Sequence, residues 1–375
     1  MSWFLIISIG LYVVLMGTFG IGFFRLKTFS AQKVKPKTSF TLIIPFRNEA
    51  ENLPALMQSI SKLNYPEKLI EVLFINDASE DASVVVIQQF ILKRKPSGWT
   101  IIDNERRSGS PKKDAITLAV SKAKHDWIFT TDADCILPEN LFNNLNSFIL
   151  NTPSKMIAGP VLALPGNRFL ISHYQFLESL TLAGVTLGSF GMGKPLMCNG
   201  AHLAYEKTAF EAVNGFEGND HIASGDDLFL LEKMQAVFPD QVHFLKNKAQ
   251  VVYTKTESNW AAVVGQRVRW AAKTSGYKSV FNRLTGVVVL AANVSLLIAF
   301  VMLFKSESGL FFLMLILLKW GVDEVFLYVS NSFFKQQISW FHLRIMAFLY
   351  PVLTVYIAFR AIFGNYNWKG RTFKK

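Results

Sequence analysis

The sequence predicts an α/β domain built on a mostly parallel sheet, with membrane-crossing helices at both ends. Three observations carry this. Short apolar runs alternate with helical stretches through residues 38–282, uncharged stretches long enough to span a bilayer flank that region, and acidic residues recur just past the ends of the apolar runs. At 375 residues and 51% hydrophobic content, the chain is too apolar for a simple soluble domain, whereas its central region has ordinary globular composition.

Residues 3–24 carry no charge and, at about 1.5 Å per residue, are long enough to cross a core of about 30 Å. They lack a basic leading segment and a small-residue cleavage site, so residues 1–25 read as a retained anchor. Arg25, Lys27, Lys33, Lys35 and Lys37 follow without an intervening acid, which places this arm and the domain after it on the cytosolic side. Strands are predicted over 40–45, 70–75, 99–102 and 127–131, with helices over 51–63, 80–95 and 111–124. Residues 163–195 combine Pro165, Gly166, Gly184, Gly188, Gly191 and Gly193 with an apolar run of about helical period. They read either as an acceptor-side segment at the membrane surface or as a buried helix followed by a glycine-rich loop. Residues 195–198 read as strand and 228–236 as helix.

A second clean span covers 284–304, with 305–308 as its turn. Residues 309–330 are apolar but hold Lys319, Asp323 and Glu324. Lys319 and Asp323, one helical turn apart, are placed to neutralise each other or to serve an acceptor site. Only fifteen residues separate Arg344 from Arg360, so the membrane region 284–363 contains two or three helices before a basic tail over 364–375.

The net charge of +12 is concentrated in the first arm and in Arg360, Lys369, Arg371, Lys374 and Lys375. Charge that flanks membrane segments points to anionic headgroups and argues against nucleic acid, whose readers interleave basic residues through the folded domain. Cys135 and Cys198 have no metal-ligand spacing and indicate no disulfide framework, consistent with a reducing compartment.

In open parallel sheets ligands bind beyond the carboxyl ends of strands, where Arg47, Glu49, Asp77, Asp132 and Asp134 all fall. Asp132 and Asp134 flank one small residue and offer hard oxygen donors suited to Mg2+ or Mn2+ shared with phosphate. Asp227 stands at a helix start, where it serves either the helix dipole or a reaction needing a general base, with Asp226 as the second choice. Gln266, Arg269 and Trp270 share one helical face, the arginine suited to phosphate oxygens and the indole to the wall of a slot. A basic amphipathic helix on the membrane explains the same residues. Lys112 opens a helix after a glycine-containing loop and is either within reach of a phosphate or simply solvated. Asn199 and Gly200 are placed to line a pocket, and His202 reads as a core or surface histidine.

With these residues assembled, the chain resembles family 2 glycosyltransferases of the GT-A fold, especially membrane-bound members similar to ceramide glucosyltransferase and to bacterial lipid or carotenoid glycosyltransferases. The resemblance covers about residues 38–282. It rests on Ile44-Pro45-Phe46-Arg47-Asn48-Glu49, Asn76-Asp77-Ala78-Ser79-Glu80-Asp81, Thr131-Asp132-Ala133-Asp134, Asn214-Gly215-Phe216, Gly225-Asp226-Asp227 and Gln266-Arg267-Val268-Arg269-Trp270. It implies inverting transfer from a nucleotide sugar, usually a UDP-sugar, in the cell envelope. Pro45, Arg47, Glu49, Asp77, Lys112 and Asp132 would bind the donor, Asp134 with Asp132 the metal, and Asp227 would act as base. Asn199, Gly200, Asp226, Gln266, Arg269 and Trp270 would bind acceptor and diphosphate. The family commonly has Asp where Asn76 stands and Glu where Asp226 stands. The resemblance leaves three readings: single transfer to a membrane lipid giving a glycolipid, a processive polysaccharide synthase extending a growing glycan, or a non-catalytic scaffold that keeps the fold.

Overall fold

The computed structural model describes residues 2–164, 169–276, 278–338, 340–364, 366–368 and 371–373. In chain order the elements are α1 (Ser2–Arg25), β1 (Phe40–Phe46), α2 (Leu53–Ser61), β2 (Ile70–Asn76), α3 (Ser83–Arg94), β3 (Trp99–Asp103), α4 (Pro111–Lys122), β4 (Trp127–Thr130), β5 (Cys135–Ile136), α5 (Leu141–Asn151), β6 (Met156–Ala158) and β7 (Val161–Ala163). They continue with α6 (Phe169–Gly191), β8 (Leu203–Glu206), α7 (Lys207–Ala212), α8 (Asp226–Val237), β9 (Val242–Phe244), β10 (Val252–Thr254), α9 (Trp260–Ala272), α10 (Val280–Leu303), α11 (Gly309–Phe334), α12 (Trp340–Phe363) and a hairpin of β11 (Tyr366–Trp368) and β12 (Arg371–Phe373). Two compact units result. A sheet unit comprises Lys27–Leu164 and Met197–Lys255; a helical unit comprises Met1–Leu26, Pro165–Leu196 and Thr256–Lys375.

The sheet unit contains a seven-stranded sheet of order β3-β2-β1-β4-β8-β6-β9 and a three-stranded sheet of order β5-β10-β7. In the larger sheet β1 runs parallel to β2 and β4, and β2 runs parallel to β3, whereas β8 is antiparallel to both neighbours. The parallel strands are near-continuous apolar runs because helices cover them, and β1, β2 and β4 are buried almost throughout. Phe40 stacks on Phe142 at 4.6 Å between ring centroids, with Phe129 edge-on to Phe142, so that α5 is fastened to the sheet by aromatic contact. Pro45 is tolerated in this central strand because the missing N–H lies on the β4 side, and β4 pairing has already ended at Ile43. His202 is a core residue. It is buried against Phe129, a Cβ at Gly159 would sit 2.2 Å from its ring, and burial pushes its pKa down to about 4, so it is neutral near pH 7.

One expected strand is absent. Residues 195–198 have no ladder; they run out of α6, with Leu196 N donating to Ser189 Oγ at 3.1 Å, and Pro195 has no N–H to offer a neighbouring strand.

In the helical unit, and among the described residues, three helices are long and apolar enough to cross a membrane: Ser2–Arg25, Val280–Leu303 and Phe341–Phe363. The last is longer than the fifteen residues between Arg344 and Arg360 because both arginines lie inside the helix. Arg344 Nη1 donates to Glu324 on α11 at 2.5 Å, and Arg360 Nη1 to Tyr356 at 2.9 Å. On α11, Lys319 is fully buried and paired with Asp323 at 2.5 Å. It also donates to Asn293 of α10 at 3.2 Å, while Tyr12 of α1 donates to Asp323 at 2.6 Å. The two charges thus tie together three helices, and each ion has a hydrogen-bonded counterpart. Pro165 and Gly166, and Lys369, Lys374 and Lys375 of the tail, lie outside the described residues.

The glycines of 184–191 belong to α6 itself and not to a following loop. A Cβ built at Gly22 of α1 would stand 2.0 Å from the carbonyl oxygen of Gly188; one at Gly188 would stand 2.3 Å from that of Phe19, and one at Gly191 1.9 Å from that of Gly22. Glycine's unfavourable helix propensity, about 1 kcal/mol each, is accepted here because no other residue lets the two backbones approach so closely. Gly188→Leu is expected to destabilise the protein by about 3 kcal/mol or more, since the colliding atoms are backbone. Gly10→Leu, where an added Cβ meets nothing within 4 Å, is expected to be near neutral. Thermal unfolding of the two variants in detergent compares them.

Candidate active site

The site is assembled by strand register. Phe46 pairs with Asn76 and Asn76 with Asp103, so β1, β2 and β3 end level, and the residues just beyond them meet along one rim. Asp77 is held there from two sides: Asn104 Nδ2 donates to its carboxylate at 3.1 Å and Arg106 Nε at 2.6 Å. Arg106 is a site residue that the sequence reading missed; its signal was a basic side chain three residues past the end of β3. Arg47 Nη1 donates to the Asp77 carbonyl at 2.9 Å and also to that of Ala78, and its Nη2 to Glu80 at 2.8 Å. Arg47 therefore straps the β1–α2 and β2–α3 loops together. Asn48 and Ala78 in those loops both adopt left-handed φ, 52° and 54°, and Asn48 Oδ1 accepts from Glu80 N at 2.8 Å. Asn76, where the resembling family commonly has Asp, accepts from Ser79 N and donates to Asp103, closing the turn with a neutral group.

The end of β4 brings the second group of residues. Thr130 pairs with Leu203 in the antiparallel ladder and donates through Oγ1 to the Gly200 carbonyl at 2.7 Å, so the turn before β8 lies beside the turn that carries Asp132. Asn199 caps that turn, its Oδ1 accepting from Ala201 N at 3.0 Å. Gly200 forms the floor: a Cβ there would stand 3.0 Å from Asp226 Oδ2, 3.5 Å from Lys112 Nζ and 3.8 Å from Asp227 Cβ. Lys112 Nζ lies 2.7 Å from Asp132 and 3.0 Å from Asp226, making one ammonium the link between the β4 turn and the first turn of α8. Burial works to lower the Lys112 pKa, but the charges of Asp132 and Asp226 outweigh it and hold the ammonium well above its ordinary range. Asp226 and Asp227 open α8 after Gly225, whose φ of 83° no L side chain adopts cheaply, and Cys198 Sγ lies 3.4 Å from the Asp227 carbonyl.

Asp134 faces the same rim. Its carboxyl is pushed up to about 6 by burial and then by the charges of Asp132 and Glu49, while Thr254 of β10 donates to it at 3.1 Å. Among the described residues no three His, Cys, Asp or Glu side chains form a ready-made metal cage. What is present is an excess of carboxylate charge around Asp134. That suits a small divalent ion bound through one or two carboxylates and completed by substrate phosphates.

Gln266, Arg269 and Trp270 lie in the helical unit on α9, which Asn259 caps by accepting from Ala262 N at 2.9 Å. Gln266 donates to Glu257 at 3.0 Å. Arg267 is buried, paired with Glu178 of α6 at 2.5 Å and stacked 4.6 Å over Trp270. The guanidinium between the two motif positions thus anchors the helix and holds the indole from one face.

Residues 41–213 match the family described as Glycosyl transferase family 2. The poly-beta-1,6-N-acetyl-D-glucosamine synthase of Staphylococcus epidermidis is 23% identical over 226 residues, which is 60% of this chain and 52% of that protein. The probable glycosyltransferase YdaM of Bacillus subtilis is 21% identical over 242 residues, 64% of this chain and 55% of its own. The chain thus spans about half the length of the curated relatives it matches. Among solved structures, the mannosyltransferase PcManGT from Pyrobaculum calidifontis, in complex with GDP-Man and Mn2+, is 14% identical, with a TM-score of 0.55 over 96% of this chain and 99% of that one. This is a likeness of fold. A mostly parallel sheet with carboxylates at its carboxyl rim and a family match spanning β1 to β8 lead to one identification: residues 41–213 match a family 2 glycosyltransferase domain, and the fold is GT-A-like.

Proposed function

We propose that this protein is an inverting glycosyltransferase that moves a sugar from a nucleotide sugar, a UDP-sugar, to the hydroxyl of a membrane lipid at the cytosolic face. The observation that carries the reading is the Lys112 clamp, which joins Asp132 to Asp226 and sets Asp227 beside the Gly200 floor, on the rim where Asp77 and Asp134 also stand. Asp77, Glu49, Pro45 and Arg47 form the nucleoside side. Asp132 and Asp134 would hold Mg2+ or Mn2+, which supplies charge neutralisation for the departing diphosphate. The acceptor oxygen forms a bond to the anomeric carbon as the bond to diphosphate breaks. Its proton passes to an Asp227 carboxylate oxygen, and the leaving electron pair stays on the nucleoside diphosphate. Gln266, Arg269 and Trp270 bind acceptor and diphosphate. The apolar helices Ser2–Arg25, Val280–Leu303 and Phe341–Phe363 support membrane residence, and the basic arm from Arg25 to Lys37 supports the cytosolic side.

Similarity to a polysaccharide synthase keeps a processive product as the second reading. Membranes containing the protein, supplied with a panel of radiolabelled UDP-sugars, separate the two. We expect label in organic-extractable material, lost with a chelator and restored by Mg2+ or Mn2+. Label in insoluble polymer instead replaces the lipid acceptor with a growing glycan, and no transfer from any nucleotide sugar overturns the reading.

A further inference from the structure

Lys113 follows Lys112 on α4, turned about 100° around the helix axis, and it reaches a different partner. Its side chain is 1% exposed. The ammonium donates to the backbone carbonyls of Asn219 at 2.6 Å and Ile222 at 2.9 Å, and it lies 4.7 Å from the ring centroid of Phe229 on α8 and 6.0 Å from that of Phe216. Phe216, Asn219 and Ile222 belong to the segment that leads into Asp226 and Asp227, and Phe229 stands just past them on α8. Between α7 and α8 the chain has no regular element long enough to fix its shape, and it turns through four left-handed positions: Asn214, Gly215, Gly218 and Gly225. Lysines hold both halves of it. Lys233 of α8 donates to the carbonyls of Val213, Gly215 and Glu217 at 3.2, 2.8 and 2.7 Å, and Lys113 holds the second half. Gly109, just before α4, brings backbone against the same segment, since a Cβ there would meet the His221 carbonyl oxygen at 3.1 Å.

Burying an ammonium costs folding free energy that an apolar chain of similar length avoids. A core position needing only volume would be filled by Met or Leu. We infer that Lys113 is a positioning residue: by fixing the backbone at Asn219 and Ile222, it sets where Gly225 delivers Asp226 and Asp227. The two consecutive lysines divide the task, Lys112 holding the Asp226 carboxylate and Lys113 the chain behind it. This inference rests on the transferase reading above, in which the placement of Asp227 governs proton removal from the acceptor.

The test compares the full-length native protein with Lys113→Met and Lys113→Arg in detergent, by steady-state kinetics and by hydrogen exchange of the amides of 216–227. Lys113→Met is expected to lower kcat about 10- to 100-fold, with KM for the nucleotide sugar within about twofold, because the donor side is untouched and only the placement of the base is lost. Exchange in 216–227 should rise at least about 10-fold, and Lys113→Arg, which keeps a buried cationic donor, should recover most of both. If Lys113→Met does not fold, Lys113→Gln replaces it, with the same expectations. An active native enzyme whose kcat survives the neutral substitution overturns the inference alone, as does unchanged exchange in 216–227. A native protein that transfers no sugar overturns the transferase reading and, with it, the role assigned to Lys113.

Discussion

Replacing Asp227 with asparagine is expected to lower sugar transfer about 100- to 10,000-fold, the usual worth of a positioned general base. The change is isosteric, and Asp227 Oδ1 accepts from Leu228 N at 2.7 Å, a bond that the amide oxygen of asparagine can still accept. Fold and donor binding should therefore survive. Nucleotide affinity by calorimetry should stay within about threefold of native, so the loss appears in kcat and not in donor KM. An Asp227→Asn variant with more than a tenth of native kcat would remove Asp227 from the role of base and shift attention to Asp226.

The second large effect is expected at Lys112. Its ammonium is shared by Asp132 and Asp226, at 2.7 and 3.0 Å, and Asp132 in turn adds to the field that pushes Asp134 up. Lys112→Met takes the cation away and leaves these carboxylates facing one another, so each must seek a proton or move apart. The expected loss is about 100- to 1,000-fold in kcat/KM, the scale measured when one preorganised donor is removed from a charge-developing site. Unlike the change at Asp227, it should also weaken nucleotide binding, because the displaced Asp132 belongs to the donor side in the function proposed above. Lys112→Arg should recover little, since the planar fork does not reproduce a point charge between two carboxylates.

Much of the sheet unit was legible because its parallel strands are uninterrupted apolar runs. Residues 40–45, 70–75, 99–102 and 127–131 lie within a residue of β1 to β4 at each end. The strands β6, β7, β9 and β10 hold three residues each, too few to show a period of two, and their existence depends on partners far away in the chain. The rim residues Asp77, Asp132 and Asp134 could be read from their positions after apolar runs, and Asp227 from its place at the start of a helix-like run. Arg106 could not, because its meeting with Asp77 follows from the pairing of Asn76 with Asp103, and register is a tertiary fact. The thiol and apolar groups of 195–198 suggested a strand where the chain only crosses between α6 and the turn at Gly200, and a proline there leaves nothing for a ladder. Glycines 184, 188 and 191 were ambiguous for the opposite reason: local propensity argues against helix, and only the approach of α1 at Gly188 and Gly191, and of Ser330 and Phe326 of α11 at Gly184, explains them.

The backbone contact of Gly22 with Gly188 also sets a timetable for biosynthesis. The two glycines are separated by roughly 170 residues, which at about 5–20 residues per second means that α1 waits about 10–30 s for α6 to be made. During that interval its groove is bare. In the membrane setting proposed above, lipid tails or the insertion machinery fill the groove and are then displaced, and most of the sheet unit is synthesised before the first helix finds its partner. A cell that makes this protein therefore depends on the early helix remaining unpaired without being captured by another chain.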